Sequence, residues 1–242
     1  MLNLIAVEFS KLRRNKIVAL ILVSTIVMPA IGFMYFSSGS DEVPAMQFFK
    51  MTIFSYTSWL ILPIILGVFS IMLVFEEKQN DVLKQLYIIP VRTGKLFISK
   101  FVLVLLLSLI YMIATFLVSY LAGVSTHLIV LGPDELRFVF VKSIQISLLT
   151  AIAMIPIQCV AFIFDSYIFP VCATILYVFV GFILLMVNAY IHPISSMTAI
   201  WMKDVPGVTL NQVFSYPASV TCVLVWCVIF ICLMNFILNK RK

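Results

Sequence analysis

The residues of this 242-residue chain that could do chemistry are few, and most lie in apolar surroundings. Five cysteines, Cys159, Cys172, Cys222, Cys227 and Cys232, sit inside hydrophobic runs, where a thiol behaves as a small buried hydrophobe. The last three are spaced by five, so each turns about 140° from its predecessor around a helix and they share no ligand face. Neither zinc nor redox spacings are present, and no metal site is expected. A phosphate-binding loop needs Gly-x-x-x-x-Gly-Lys-Ser/Thr, whereas Gly94-Lys95 is followed by Leu96 and lacks the upstream glycine. No Gly-x-Ser-x-Gly elbow and no His-Glu-x-x-His pair occurs, so the usual parts for nucleophilic or zinc hydrolysis are missing. The chain is not expected to be an enzyme or to bind a cofactor.

Polar side chains inside apolar runs are the next candidates, because an ionisable group in hydrocarbon costs several kcal/mol and is suspected of function. The runs hold almost none. Gln145, Gln158, Asn188 and Asn235 are neutral and read first as helix–helix hydrogen-bonding groups. Ion-coupled transport, which wants carboxylates at mid-membrane, loses weight accordingly. Asp165, in a tight turn between two runs, reads as a helix cap.

The elements that carry these residues follow from composition. The chain is 63% apolar and 11% charged, where a soluble domain is about 45–50% apolar and about 25% charged. Six apolar runs long enough to cross a bilayer cover about 17–36, 51–75, 96–121, 138–164, 168–190 and 218–238. The second holds Trp59 and a kink candidate, Pro63, and the fourth holds Pro156. Ahead of the first, Leu2, Ile5, Phe9 and Leu12 recur at helical spacing while Glu8, Lys11, Arg13, Arg14 and Lys16 fill the other faces. This predicts an amphipathic helix over 1–16 lying in the headgroup plane. The segment 191–217, with Pro193, Trp201, Pro206, Gly207 and Pro217, is open to two readings, short re-entrant helices or a plain exposed loop. The fold expected is one all-α integral membrane domain over 1–242.

Charge placement orients it. The net charge is +6, which in a soluble chain would raise the question of nucleic acid, but the cations flank alternate runs. Lys11, Arg13, Arg14, Lys16, Lys78, Lys84, Arg92, Lys95, Lys100, Lys240, Arg241 and Lys242 fall on one side; Lys50, Arg137, Lys142 and Lys203 fall on the other. A split of twelve to four puts both termini in the cytoplasm.

The stretch 75–101 is the richest in the chain. Val82, Leu83, Leu86 and Ile89 form one apolar face of a short helix that Pro90 ends, with acidic residues in its first turns and Arg92, Lys95 and Lys100 beyond it. A solvated connection without function fits these residues equally well. Glu76-Glu77 also resembles the paired glutamates of intramembrane abortive-infection-type proteases, but that family places an Arg four residues after the second glutamate, where this chain has Asp81.

Acidic residues directly after the second run, the Leu86, Pro90 and Arg92 element, and Lys100-Phe101 at the third run resemble the cytoplasmic loop of ABC-2-type transporter permeases. Glu8-Phe9 through Lys16 is similar to their interfacial entry helix. Within that group, the length, the opening Met-Leu-Asn-Leu and the Glu76 to Asn80 pattern most resemble permeases of lantibiotic-immunity and bacitracin-type peptide exporters. The resemblance implies a coupling helix between spans two and three that docks in a cytoplasmic ATP-binding-cassette subunit through Glu76, Glu77, Leu83, Leu86, Pro90 and Arg92. It further implies two such ATPase subunits, which hold the ATP and magnesium, and a second permease chain, identical or related. The cargo implied is an amphipathic or antimicrobial peptide, crossing the cell membrane of a bacterium. A drug, lipid or glycan cargo, a non-transporting assembly or sensing role, and an intramembrane enzyme are the competing readings.

Overall fold

The computed structural model describes residues 9, 16–37, 44–79, 93–125, 132–208 and 214–240. Among them the ordered elements are all helical, and six helices are long and apolar enough to cross a membrane. We number them in chain order with one short helix between the last two: α1 Lys16–Ser37, α2 Ala45–Gln79, α3 Thr93–Ser125, α4 Pro133–Ile163, α5 Ile168–Val187, α6 Pro193–Met202 and α7 Tyr216–Lys240. The six spans expected from hydropathy are present. α2 and α4 start earlier than the apolar runs, taking in Lys50 and Arg137. A long basic side chain near a helix end can reach the interface while its stem stays in apolar surroundings, so charge does not stop the helix where it stops the hydropathy.

α2 and α4 are mostly buried within the bundle, whereas most of α1, α5 and α7 is not. Large apolar side chains such as Leu20, Met34, Ile168, Leu176 and Phe236 stand exposed, as expected for helices that face lipid tails. Because lipid removes the hydrophobic drive between helices, association relies on close approach and interhelical hydrogen bonds. α3 and α4 meet along fully buried Ser108, Ser143 and Ser147, with Ser108 Oγ donating to the Ser147 carbonyl at 2.8 Å. A Cβ on Gly32 of α1 would lie 2.5 Å from the Thr52 methyl of α2, and one on Gly67 of α2 would run into the Thr174 methyl of α5. These two crossings exist because hydrogen replaces a methyl.

Three spans depart from regular α-helix, each with a local cause. In α1, Ser24–Ile26 tightens to a 3₁₀ turn. Ser24 and Thr25 there donate back to the Ile21 and Leu22 carbonyls, each at 2.7 Å, and Pro29 displaces the Thr25 carbonyl. In α2, Lys50–Phe54 and Thr57–Ile61 are π turns around a non-helical Ser55 (φ −87°, ψ −125°). Thr57 and Ser58 hydroxyls take the Thr52 and Ile53 carbonyls at 2.7 and 2.6 Å, replacing bonds the widened turns lose. Pro63, read as a kink, lies just past the second π turn, whose Trp59 carbonyl it would displace. α4 breaks at Met154 (φ −88°, ψ 0°), two residues before Pro156.

The segment 191–217 is not a plain exposed loop. It contains α6, every residue of which is buried. His192 is its N-cap, the imidazole Nδ1 accepting from Ile194 N at 3.3 Å, and Pro193 occupies the first turn, where a missing N–H costs nothing.

Candidate functional site

At the end of the bundle where α2 and α4 finish and α3 begins, three consecutive residues of α2 have three different surroundings. Glu76 is exposed, Glu77 is buried, and Lys78 is half-buried. Helical geometry sends successive side chains about 100° apart, so one turn can face solvent, α3 and α4 in succession.

Glu77 faces α3. Its Oε2 lies 2.9 Å from Lys100 Nζ, with the two side chains 6% and 1% exposed. The contact has ion-pair rather than hydrogen-bond geometry. Lys100 stands seven residues into α3, about 10 Å along its axis, and Nζ also donates to the Leu73 carbonyl of α2 at 2.7 Å. Two adjacent helices are thus joined by a fully desolvated cation that touches a side chain and a backbone oxygen of its neighbour.

Lys78 faces α4. Its Nζ donates to the carbonyls of Ala161 at 3.2 Å, Phe162 at 3.0 Å and Phe164 at 2.6 Å. The last turn of any helix leaves carbonyls without partners and carries a partial negative charge, and a lysine answers both. The same Nζ lies 3.2 Å from Asp165 Oδ1. Asp165, expected to cap the next helix, is therefore an ion-pair partner of Lys78, and the N-cap position of α5 is Tyr167. The end of α2 is fastened on one side to α3 and on another to α4, at the point where the chain enters 80–92.

At the opposite end of the bundle Lys142 of α4 reaches Asp204, just after α6, at 2.6 Å, and Gln145 Oε1 at 2.8 Å. Gly207, in the positive-φ conformation (+70°) that glycine adopts freely, leaves room for Lys50: a Cβ there would be 2.7 Å from its Nζ. α6 is further held by Ser195 and Ser196 hydroxyls, both on the Ala189 carbonyl at 2.9 and 2.7 Å. Burial of His192 lowers its pKa to about 4, leaving the ring neutral and able to accept at Nδ1.

The expectation that the spans hold almost no ionisable side chain needs correction, since Lys100 and Lys142 are both buried inside spans. Both lie within apolar runs drawn from hydropathy alone, and their partners, Glu77 and Asp204, are remote in sequence; that separation hid them. Of the neutral polar residues read as helix–helix hydrogen-bonding groups, Gln158 acts as one, whereas Gln145 accepts from Lys142 of its own helix and Asn188 bonds locally. Gln158 Nε2 donates across to the Phe97 carbonyl of α3 at 3.2 Å, and Asn188 Oδ1 accepts from Tyr190 N at 3.0 Å. All five cysteines are free thiols.

Of the residues singled out for coupling, Glu76 and Glu77 fall in the clamped turn, Glu76 exposed and Glu77 buried against Lys100 rather than presented to a docking partner, while Leu83, Leu86, Pro90 and Arg92 lie outside the described residues. Leu2, Ile5, Leu12, Arg13 and Arg14 of the amphipathic segment also lie outside them; Phe9 is described as helical and exposed. A search of curated proteins finds no match to this sequence. The family model described as ABC-2 family transporter protein matches residues 4–181, which include the first four spans, most of the fifth and the clamp between α2, α3 and α4. With that match over most of its length and six membrane-spanning helices, the chain belongs to the ABC-2 family of transporter proteins, as a membrane permease.

Proposed function

We propose that the chain is the permease subunit of an ATP-binding-cassette exporter that removes an amphipathic peptide from the membrane or the cell. Membership of the family implies a separate ATP-binding subunit, and segment 80–92 is its docking element, through Leu83, Leu86, Pro90 and Arg92 with Glu76 at the near end. The observation that carries this reading is the double fastening of the α2 end, Glu77 to Lys100 and Lys78 to the α4 carbonyls, immediately before that segment. A loop that must deliver force needs rigid anchorage; a passive connection does not. ATP and magnesium bind on the partner, two copies of which serve a pair of permease chains, identical or related. The largely uncovered α1, α5 and α7 offer the surfaces for a second permease and for lipid. The twelve-to-four split of cations supports a cytoplasmic position for this end and for both termini, in a bacterial cell membrane. The amphipathic helix over 1–16, through Leu2, Ile5, Phe9 and Leu12 with Arg13 and Arg14, lies on that same leaflet.

Peptide cargo rests on the resemblance of the first hundred residues to peptide-exporter permeases and suits the exposed aromatic and methionine side chains of the outer helices. The test is co-purification with the ATP-binding subunit, followed by ATP hydrolysis in nanodiscs with and without a cationic amphipathic peptide. Association lost on Leu83→Asp with Leu86→Asp, and hydrolysis stimulated several-fold by the peptide, are the expected results. Association indifferent to both substitutions removes the docking model; stimulation by a lipid or drug but not by peptide replaces the cargo.

A further inference from the structure

The two fastened ends of the bundle share one helix, and that helix is broken between them. Below the break, the last turn of α4 is held by Lys78 of α2. Above it, Lys142 holds the segment that follows α6. At the break Met154 N is shared between the Thr150 and Ala151 carbonyls, and Pro156 contributes no N–H. The Ala153 carbonyl there is taken from another helix: Tyr177 Oη of α5 donates to it at 2.7 Å.

Tyr177 also touches the outer structure. Its ring packs on His192, the N-cap of α6, with centroids 4.2 Å apart, and stands edge-on to Trp226 of α7 at 6.3 Å. Trp226 Nε1 in turn donates to the Ile191 carbonyl at 3.0 Å. One turn beyond Tyr177, Gly181 lets the start of α6 press against α5, since a Cβ there would be 2.9 Å from both His192 Nδ1 and Ile194 Cβ. One side chain therefore contacts the joint in α4 with its hydroxyl and the N-terminus of α6 with its ring.

We propose that the break at Met154–Pro156 is the joint through which movement of the α2 end reaches α6, and that Tyr177 is the positioning residue that sets its angle. The proposal rests on the coupling reading given above. Without a joint, a push on the lower half of α4 would tilt the whole helix. With one, the halves take two discrete arrangements, and the Tyr177 hydroxyl biases the choice through a bond that one arrangement makes and the other strains.

The experiment uses the permease reconstituted in nanodiscs with its ATP-binding subunit, the native cysteines replaced by alanine. Spin labels at exposed Gln79 and Ser166 report the lower end, and labels at exposed Pro206, just past α6, and exposed Tyr35 report the upper end. Pulsed distance measurements compare nucleotide-free and ATP-vanadate states. In the parent chain both pairs should change. Tyr177→Phe keeps the ring on His192 and removes only the hydroxyl bond. It should leave the lower change intact and shift the populations of the upper pair by about fivefold, the effect of one hydrogen bond. Pro156→Ala, which restores the missing N–H, should uncouple the upper pair in the same way. If both variants lower thermal stability yet keep the upper change as in the parent chain, Tyr177 is only a satisfied buried hydroxyl and the joint is refuted. If the lower pair ignores nucleotide in the parent chain, the coupling reading itself falls and the joint with it.

Discussion

Replacing Lys100 by methionine tests whether the Glu77–Lys100 contact holds α2 to α3. At 2.9 Å the pair's Coulomb attraction is about 6 kcal/mol at an effective dielectric of about 20. Removing each ion from water costs several kcal/mol, so the intact pair contributes little net stability. Taking away one partner is different, because Glu77, 6% exposed, then loses the cation that offsets much of its desolvation. Lys100→Met should cost about 3–5 kcal/mol. Glu77→Leu combined with Lys100→Met removes both charges, so the double variant should return to within about 1–2 kcal/mol of the parent chain. What remains is chiefly the donor lost by the Leu73 carbonyl, about 1 kcal/mol. The measurement is denaturant unfolding in mixed micelles, followed by fluorescence of Trp59, Trp201 and Trp226, for both singles and the double. A single that costs under about 1 kcal/mol, or a double that costs the sum of the singles, would show that the contact is not a coupled buried pair and would refute the argument.

Gly67→Ala should destabilise by about 1–3 kcal/mol through overpacking, measured by the same unfolding, and Thr174→Ser, which removes the nearer of the two methyls in the way and leaves that of Met154, should recover part of it. Lys78→Ala should cost about 1–2 kcal/mol by leaving the α4 carbonyls without their donor. Asp165→Asn should cost under about 0.5 kcal/mol because that carboxylate is 76% exposed; equal losses from the two would refute the capping account. His192 titrates at about 4 in the fold against 6.5 unfolded, so the unfolded chain binds the extra proton between these values. Its contribution is complete above pH 6.5 and falls away as pH drops through 4, by ~3 kcal/mol in all. His192→Asn keeps an N-cap acceptor without the titration and should flatten that part of the stability–pH curve; an unchanged slope would show that another group sets it.

The number of spans was legible in the chain, because lipid imposes a length and a composition on every spanning helix, and the stretch 75–101 carried the family resemblance. Resemblance over that stretch identified the family, which the match over 4–181 establishes. Helix ends were less legible at Lys50 and Arg137, where charge interrupts hydropathy without interrupting hydrogen bonding. The fate of 191–217 was open, since α6 carries no length signal and is recognisable only by what covers it.

What the sequence determined by itself was local: which segments could leave water, where prolines would disturb them, and which faces carried charge. What only the tertiary structure decided was partnership. Lys100 and Glu77, Lys78 and the end of α4, Lys142 and Asp204, and Tyr177 with the α4 break are all joined across separate helices. No periodicity records such pairings, because a buried cation is acceptable only where another element supplies its oxygen, and that element's position is set by packing rather than by spacing along the chain.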